Sequence, residues 1–296
     1  MKTEALILAT MMIFPAAALT SAHAATAGDA AFSDEAAKQT SIYQSRGKDV
    51  PEGYVVDRSL LSYQFILPEA FTDSLATLRP EQRWLDIGAG EGRAVLDYVT
   101  SKHEVVLNLR GAPRDSKKSK TVAMSIEDRR TAQWHETAAN LQSDQIRYLF
   151  GRPLREYSLE ELGKYHVITD VLGGFSYTRD ISLFMEITLA ALEVNGGFYT
   201  MLQDVSSNTG GNRPFYPGAP FLTEIKTADG SDMKICAWLK SITCVEVTCE
   251  FKNVSSPPIE VYGVRKVCDG VKVPALQPTH FEAGTPPERR FVVKKH

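Results

Sequence analysis

Between Arg83 and Ala94 the sequence reads R-W-L-D-I-G-A-G-E-G-R-A, and this stretch restricts the fold more than any other. An apolar run ends in the acid Asp86 and in three glycines at alternate positions, Gly88, Gly90 and Gly92. A helix-compatible segment, Gly92 to Val99, follows. In physical terms this is a buried strand, a tight turn and a helix start. The glycines allow positive φ and remove Cβ atoms that would hold a ligand off the backbone. A sharp strand-to-helix turn with no ligand is the plainer reading.

Two nucleotide motifs compete for the turn, and neither fits. A dinucleotide fingerprint requires G-x-G-x-x-G/A, but the third glycine comes one residue early and Arg93 stands in its place. A phosphate-cradling loop requires Gly-Lys-Ser or Gly-Lys-Thr, which is absent here. Asp86 argues the same way, since a carboxylate two residues before the first glycine repels a pyrophosphate and attracts an ammonium group. A ligand with an amino-acid end and a nucleoside end suits the turn. The residues Asp86, Gly88, Gly90 and Gly92 resemble motif I (D/E-x-G-x-G-x-G) of the class I S-adenosylmethionine-dependent methyltransferases. That resemblance implies S-adenosylmethionine as cofactor, with Asp86 holding its ammonium group and the glycines admitting it to the backbone.

Further along, Thr121 to Ile126 reads as a second buried strand ending at Glu127-Asp128. A nucleoside site places an acid there, because a carboxylate accepts both ribose hydroxyl protons. Glu127 is the expected residue, with Asp128 the competitor. Glu127 lies 41 residues after Asp86, against about 20 in the usual pattern, so the basic stretch Arg110 to Lys120 counts as an insertion. That stretch carries five cations against Asp115 and reads as a solvated loop or as a hold for an anionic partner. Glu127 to Leu141 is predicted helical, and Ile146 to Phe150 is a third strand ending in Gly151-Arg152-Pro153. The resembled family often has an acid after this strand. Arg152 stands instead, which leaves the adenine contact to the backbone around Gly151 and Arg152. Ser158 to Glu161 fits a capping box.

Tyr165 to Asp170 resembles the family's fourth strand, and Leu172-Gly173-Gly174-Phe175-Ser176-Tyr177 its following loop. The resemblance implies a role for Asp170 at the methyl-donor cleft, as proton acceptor or as a substrate-positioning group, with Tyr177 lining the same cleft. A turn-capping role is the competing reading of Asp170. His166 replaces the acid common at the start of this strand and reads as structural. Ile181, Phe184, Met185, Thr188, Leu189 and Leu192 mark one buried face of a helix predicted over Ile181 to Val194. Asn195-Gly196-Gly197 is expected to end it before a strand from Phe198 to Leu202. Gln203 to Gly218 reads as a loop forming part of a substrate lid, and Asp232 to Ile242 as a last helix. The alternation of strands and helices predicts an α/β, doubly wound, mostly parallel sheet, and the resemblance implies seven strands with one reversed.

With 296 residues, 43% hydrophobic and a net charge of −3, the chain has the material for one large domain, and its mild acidity argues against a general nucleic-acid binder. Lys2, the apolar run Ala5 to Leu19 and Ser21-Ala22-His23-Ala24 read as a cleaved signal peptide over 1–24, too short for a spanning helix. An uncleaved membrane anchor is the other reading. Export to the periplasm or outside the cell is therefore expected, with no membrane span after leader removal. Cys236, Cys244, Cys249 and Cys268 show no zinc-like spacing and fit one or two disulfides, or buried free thiols. If Cys244 to Lys252 and Ile259 to Val267 form a hairpin about Ser255 to Pro258, Cys244 and Cys268 meet across it. By the resemblance, the same hairpin would supply the reversed edge strand typical of the family.

Residues 25–80 read as an extension of covering helices ahead of a methyltransferase-like domain over 81–296. Asp57 is the expected cap of a helix carrying Leu60, Leu61 and Phe65 and stopping near Pro68. Tyr54, Arg58 and Tyr63 are substrate-side candidates, against the commoner reading of solvated polar residues on a covering helix. The basic tail Arg289 to His296 carries no signal. No metal set, aromatic cage or nucleic-acid signature picks the acceptor from among small molecules, proteins and envelope components, with a small molecule or envelope component expected. Three functions stay in view. One is methyl transfer to oxygen or nitrogen. The second is an exported binding protein that keeps the fold without activity, a reading raised by cytoplasmic synthesis of the cofactor. The third, a nicotinamide-dependent oxidoreductase, is disfavoured by the fingerprint.

Overall fold

The computed structural model of the chain describes residues 58–100, 119–141, 144–178, 180–203, 222–252, 259–277, 281–282 and 288–294. The leader, Tyr54, Asp57, the basic stretch up to residue 118, the loop 204–218 and the turn 255–258 lie outside these residues.

Two covering helices come first, α1 (Leu60–Ile66) and α2 (Glu69–Ala76). The Ser59 hydroxyl caps α1 by accepting from the Ser62 N–H at 3.2 Å, the place in the fold that Asp57 was expected to fill. Leu67 precedes a proline and turns extended, which ends the helix. Alternating strands and helices follow: β1 (Arg83–Ile87), α3 (Arg93–Val99), β2 (Lys120–Met124), α4 (Ala132–Ala139), β3 (Ile146–Leu149), α5 (Leu159–Leu162), β4 (Tyr165–Asp170), α6 (Gly174–Tyr177), α7 (Ile181–Ala191) and β5 (Leu192–Gln203). Ser158 and Glu161 form both bonds of the expected capping box at α5. The chain continues through β6 (Leu222–Lys226), β7 (Asp232–Met233), α8 (Ile235–Lys240), β8 (Val245–Lys252), β9 (Ile259–Lys266), β10 (Leu276–Gln277), β11 (Phe281–Glu282) and β12 (Glu288–Val293).

The main sheet has seven strands in the order β3-β2-β1-β4-β5-β9-β8. The five from β3 to β5 are parallel, and β9 runs antiparallel to both its neighbours. This is the doubly wound, mostly parallel sheet expected from the sequence, and the hairpin supplies its reversed strand, but that strand is β9, one place in from the edge, while edge strand β8 runs with the parallel set. Strand succession departs outward on both sides of the β1–β4 pair. The crevice of the fold therefore opens at the carboxyl ends of these two strands.

Alternation along β1 divides its side chains between two cores. Trp84 packs with Val167, Tyr199 and Val261 beneath α1, α2 and α3, while Leu85 and Ile87 pack with Ile168, Phe198 and Tyr262 beneath α7 and α8. The predicted helix from Glu127 shortens to α4 because Glu127 to Arg130 are extended or bent, and Thr131 caps the helix that remains. The predicted helix to Val194 stops at Ala191. Asn195-Gly196-Gly197 does not end it but lies inside β5, where Asn195 takes φ 68° and the register on β4 shifts between Tyr165 and Val167. Asp232 and Met233 form a strand rather than a helix start.

All four cysteines are paired. Cys244–Cys268 closes the open end of the β8–β9 hairpin with Cα atoms 5.0 Å apart, and Cys236–Cys249 ties α8 to β8. The free-thiol reading is thereby set aside. A second sheet, β10-β12-β6-β7 with β11 on β12, was not anticipated, and its central strand β12 is formed by the tail that seemed to carry no signal. Ile225, Leu276 and Phe291 of this sheet join the same core as Phe175 and Phe184. Among the described residues no helix is long and apolar enough to cross a membrane.

Candidate ligand site

At the end of β1 the backbone turns through three left-handed glycines, Gly88 (φ 73°), Gly90 (φ 58°) and Gly92 (φ 77°), and Gly92 caps α3. An L-residue strains in each of these conformations. Space forbids one as well: a Cβ on Gly88 would lie 2.4 Å from Gly173 Cα, and one on Gly92 would lie 2.4 Å from the Trp134 ring. The loop is held from outside by the Tyr148 hydroxyl, which donates to the Gly90 carbonyl, and by Trp134, set edge-on to Tyr148 with ring centroids 5.1 Å apart. Gly88 itself is exposed. The expected left-handed glycine turn is present at the carboxyl end of β1.

Asp86 lies beneath the loop, fully buried. Its Oδ1 accepts from the Thr169 hydroxyl at 2.8 Å and its Oδ2 from the Tyr63 hydroxyl at 3.2 Å, and Trp84 Nε1 donates to the same threonine at 2.8 Å. Burial, followed by the charge of Asp86, pushes the Tyr63 hydroxyl well above its ordinary range. Tyr63 is thus a neutral donor to Asp86 rather than a group facing substrate. Arg58 lies close enough to Tyr63 to act on it electrostatically.

Beyond β2, Glu127 pairs with Arg129, and Asp128 receives two bonds from the Arg130 side chain, at 2.8 and 2.7 Å, which lower its carboxyl to about 2. Both acids are exposed. Two apolar side chains that the sequence did not single out stand at this edge. Ile126, 66% exposed, follows β2, and Phe150, 42% exposed, follows β3 with the Arg130 guanidinium over its ring. The Phe150 ring lies 6.3 Å from that of Tyr148, the residue that holds the glycine loop. The signal for Ile126 and Phe150 was available: an apolar residue just past a strand's carboxyl end, where the core has already stopped. Gly151 takes φ 95° and donates to the Ile126 carbonyl at 2.9 Å. Arg152 points elsewhere, stacked 4.0 Å over Tyr157 and paired with Glu161.

At the end of β4 the Asp170 side chain is fully buried. It accepts from the N–H groups of Gly173 and Phe175, both at 3.0 Å, and so ties down the turn that leads into α6. Burial raises its carboxyl to about 7 against the opposing pull of these amides and of Arg289. Gly173 permits the packing, since a Cβ there would lie 2.6 Å from the Ile87 carbonyl. Leu172, just before it, sits at φ 54°. Tyr177, 47% exposed, ends α6. His166 lies at the other end of β4, away from the crevice, with its pKa lowered by burial.

Sequence reasoning missed Arg289. Its guanidinium, 0% exposed, reaches from β12 to donate to the carbonyls of Phe175 at 2.8 Å and Thr178 at 3.1 Å, and to the Thr223 hydroxyl at 3.0 Å. A basic run at a chain end offers no hint that its first cation is buried.

No protein-family profile matches the chain, and no curated protein does. Among solved structures, an antibiotic-resistance methyltransferase, Kmr, aligns at 12% identity over 69% of this chain and 94% of its own, with a TM-score of 0.40. An rRNA methylase from Streptococcus thermophilus aligns at 12% identity over 73% and 100%, with a TM-score of 0.37. A geranyl diphosphate methyltransferase aligns at 14% identity and a TM-score of 0.31, over 45% of this chain and only 43% of its own length.

Proposed function

We propose that the crevice binds S-adenosylmethionine and that the chain transfers its methyl group to an oxygen or nitrogen of an acceptor. The observation that carries this reading is the left-handed glycine loop of Gly88, Gly90 and Gly92 at the switch point of the sheet, exposed at Gly88, with buried Asp86 beneath it. When bound, the cofactor would supply a methyl group on a sulfonium: the acceptor oxygen or nitrogen forms the new bond to carbon as the C–S pair returns to sulfur, and the acceptor's proton is released to solvent. The protein's task is alignment and exclusion of water. In this reading Asp86 provides the negative charge that draws the ammonium end, and the glycines let it approach the backbone. Glu127 receives the ribose hydroxyls on exchanging its Arg129 partner, and Gly151 with Ile126 and Phe150 flanks the base. The Arg152 side chain, held by Glu161 and Tyr157, takes no part, and the base meets the backbone of Gly151 and Arg152 instead. Asp170 positions the turn that carries Tyr177 toward the acceptor. Both of its oxygens are engaged by amides, which favours the positioning role over proton abstraction.

The mature chain is proposed to work outside the cytoplasm. Support comes from the two disulfides, which persist in oxidising compartments. The same observation favours a second reading, a binding protein without transfer activity, since the cofactor is made in the cytoplasm. Calorimetry with S-adenosylhomocysteine tests both. Micromolar binding, weakened at least tenfold in Asp86→Asn, is expected. A folded protein that binds nothing, or binds equally well as Asp86→Asn, defeats the cofactor assignment. Binding without methyl transfer to any of a panel of hydroxyl and amine acceptors would favour the second reading.

A further inference from the structure

The short helix α6 is gripped at both ends by buried charges from different sheets. At its start the Asp170 carboxylate, on the main sheet, takes the N–H groups of Gly173 and Phe175. Around its end the Arg289 guanidinium, on the second sheet, holds the carbonyls of Phe175 and Thr178 and is itself fixed by Thr223 on β6. The first residue of the gripped turn, Gly173, packs directly on Gly88, where an added Cβ on Gly173 would meet Gly88 Cα at 2.9 Å. A continuous set of contacts therefore runs from β12, through α6, to the glycine loop.

We propose that Arg289 is a positioning residue for the ligand crevice. By clamping α6 against Asp170 it holds Gly173 on Gly88 and so keeps the glycine loop in its receptive shape. The second sheet then acts as a brace for the crevice, and not only as added core. The inference of tighter ligand binding rests on the cofactor reading above. The clamp itself does not.

Chemistry explains the choice of arginine. Three carbonyl or hydroxyl acceptors lie around one planar group, and a guanidinium presents its five N–H donors in a fixed fork. A lysine at this place would keep the charge but could not span acceptors on both α6 and β6. The cost of burying the cation is visible in its pKa, lowered by burial to about 9, with Asp170 and Tyr262 acting in the opposite sense. The groups that face the pair from the surrounding elements are Tyr262 on β9, whose hydroxyl donates to Glu260 at 2.9 Å, and Tyr63 on α1, which feels the charge of Asp170. Thr200 lies beside Asp170 on β5 and beside Tyr262 on β9, with its hydroxyl oxygen buried and unpartnered among the described residues.

Amide hydrogen exchange on the full oxidised chain, wild type against Arg289→Lys and Thr223→Val, decides the matter without any ligand. Exchange at residues 173–178 and at the loop amides of Ala89 and Gly92 is expected to quicken at least tenfold in Arg289→Lys, and less in Thr223→Val. The amides of β1, β4 and β5 should stay as slow as in wild type. Unchanged exchange in both segments overturns the proposal, as does an equal quickening throughout the main sheet, which would mark Arg289 as ordinary core. In a parallel titration with S-adenosylhomocysteine, Arg289→Lys should weaken binding at least fivefold. The pH midpoint of binding should also move upward in Arg289→Met, because loss of the cation lets Asp170 hold its proton longer. If wild type binds no S-adenosylhomocysteine, the cofactor reading fails, and the exchange data still support or refute the clamp.

Discussion

A Cβ placed on Gly92 meets the Trp134 ring at 2.4 Å, and the backbone there stands at φ 77°. Both faults arise together in Gly92→Ala. Left-handed strain costs roughly 1–2 kcal/mol, and displacing a packed aromatic adds a penalty of about 1–3 kcal/mol. Urea unfolding should therefore show a loss of about 2–5 kcal/mol, whereas Gly151→Ala, whose Cβ meets nothing within 4 Å, should show only the strain. Equal losses for the two would mean that the Trp134 contact is slack. Asp170 supports a prediction of the opposite kind, in pH. Burial raises its folded carboxyl to about 7, while the unfolded chain releases the same proton near the ordinary 3.8. Between about pH 4 and pH 7 the folded state thus binds more protons than the unfolded state, so stability declines as pH rises through that window. The drop is on the order of a few kcal/mol, and Asp170→Asn should flatten it. A wild-type curve that is flat or rises from pH 4 to 7, and is unaltered by Asp170→Asn, would show that the amides and Arg289 outweigh burial.

Elements with a strong local cause were legible in the sequence. β1 and its glycine turn were read correctly because an apolar run beside alternating glycines admits few geometries. The hairpin and the Cys244–Cys268 bridge followed from two alternating runs of equal length. The errors also have local causes. Leu192 and Val194 extend the apolar periodicity of α7, so the strand that starts at Leu192 was read as helix, and Gly196-Gly197 was taken for a stop when it sits in an irregularity of β5. The second sheet was hidden because its strands are two to six residues long and carry charges at inward positions, Arg289 above all. At the site, the left-handed glycine turn was legible, but the engagement of the Asp170, Glu127 and Arg152 side chains with local partners was not, since those contacts depend on tertiary approach. The disulfides act at this scale too. They join residues 13 and 24 positions apart, and loops of this size stabilise by about 3 kcal/mol each in the chain-entropy account. Replacing Cys244 and Cys268 together by alanine should lower the unfolding free energy by about that amount while leaving binding at the distant crevice unchanged. A loss of ligand affinity in a folded double variant would contradict the separation of hairpin and crevice.

At the scale of the whole molecule, the question is whether the second sheet is an appendage or part of one cooperative unit. Ile225, Leu276 and Phe291 share a core with Phe175, Phe184 and Trp238, and the Leu276 N–H donates to the Ser182 hydroxyl on α7 at 3.2 Å. Arg289 donates to two acceptors across the same boundary, the carbonyls of Phe175 and Thr178. A unit tied by apolar packing and by a buried guanidinium has no solvated seam along which to open, so it should not unfold before the main sheet. The tryptophans provide local probes: Trp84 lies in the core beneath α1 to α3, Trp238 in the core shared with the second sheet, and Trp134 against the glycine loop. In urea, with disulfides intact, single-tryptophan variants reporting on Trp84 and Trp238 should share one midpoint with the far-ultraviolet circular dichroism. An earlier midpoint at Trp238 alone would make the second sheet a separate unit. It would also undercut the brace, because a sheet that opens independently cannot hold α6 in place while the crevice is occupied.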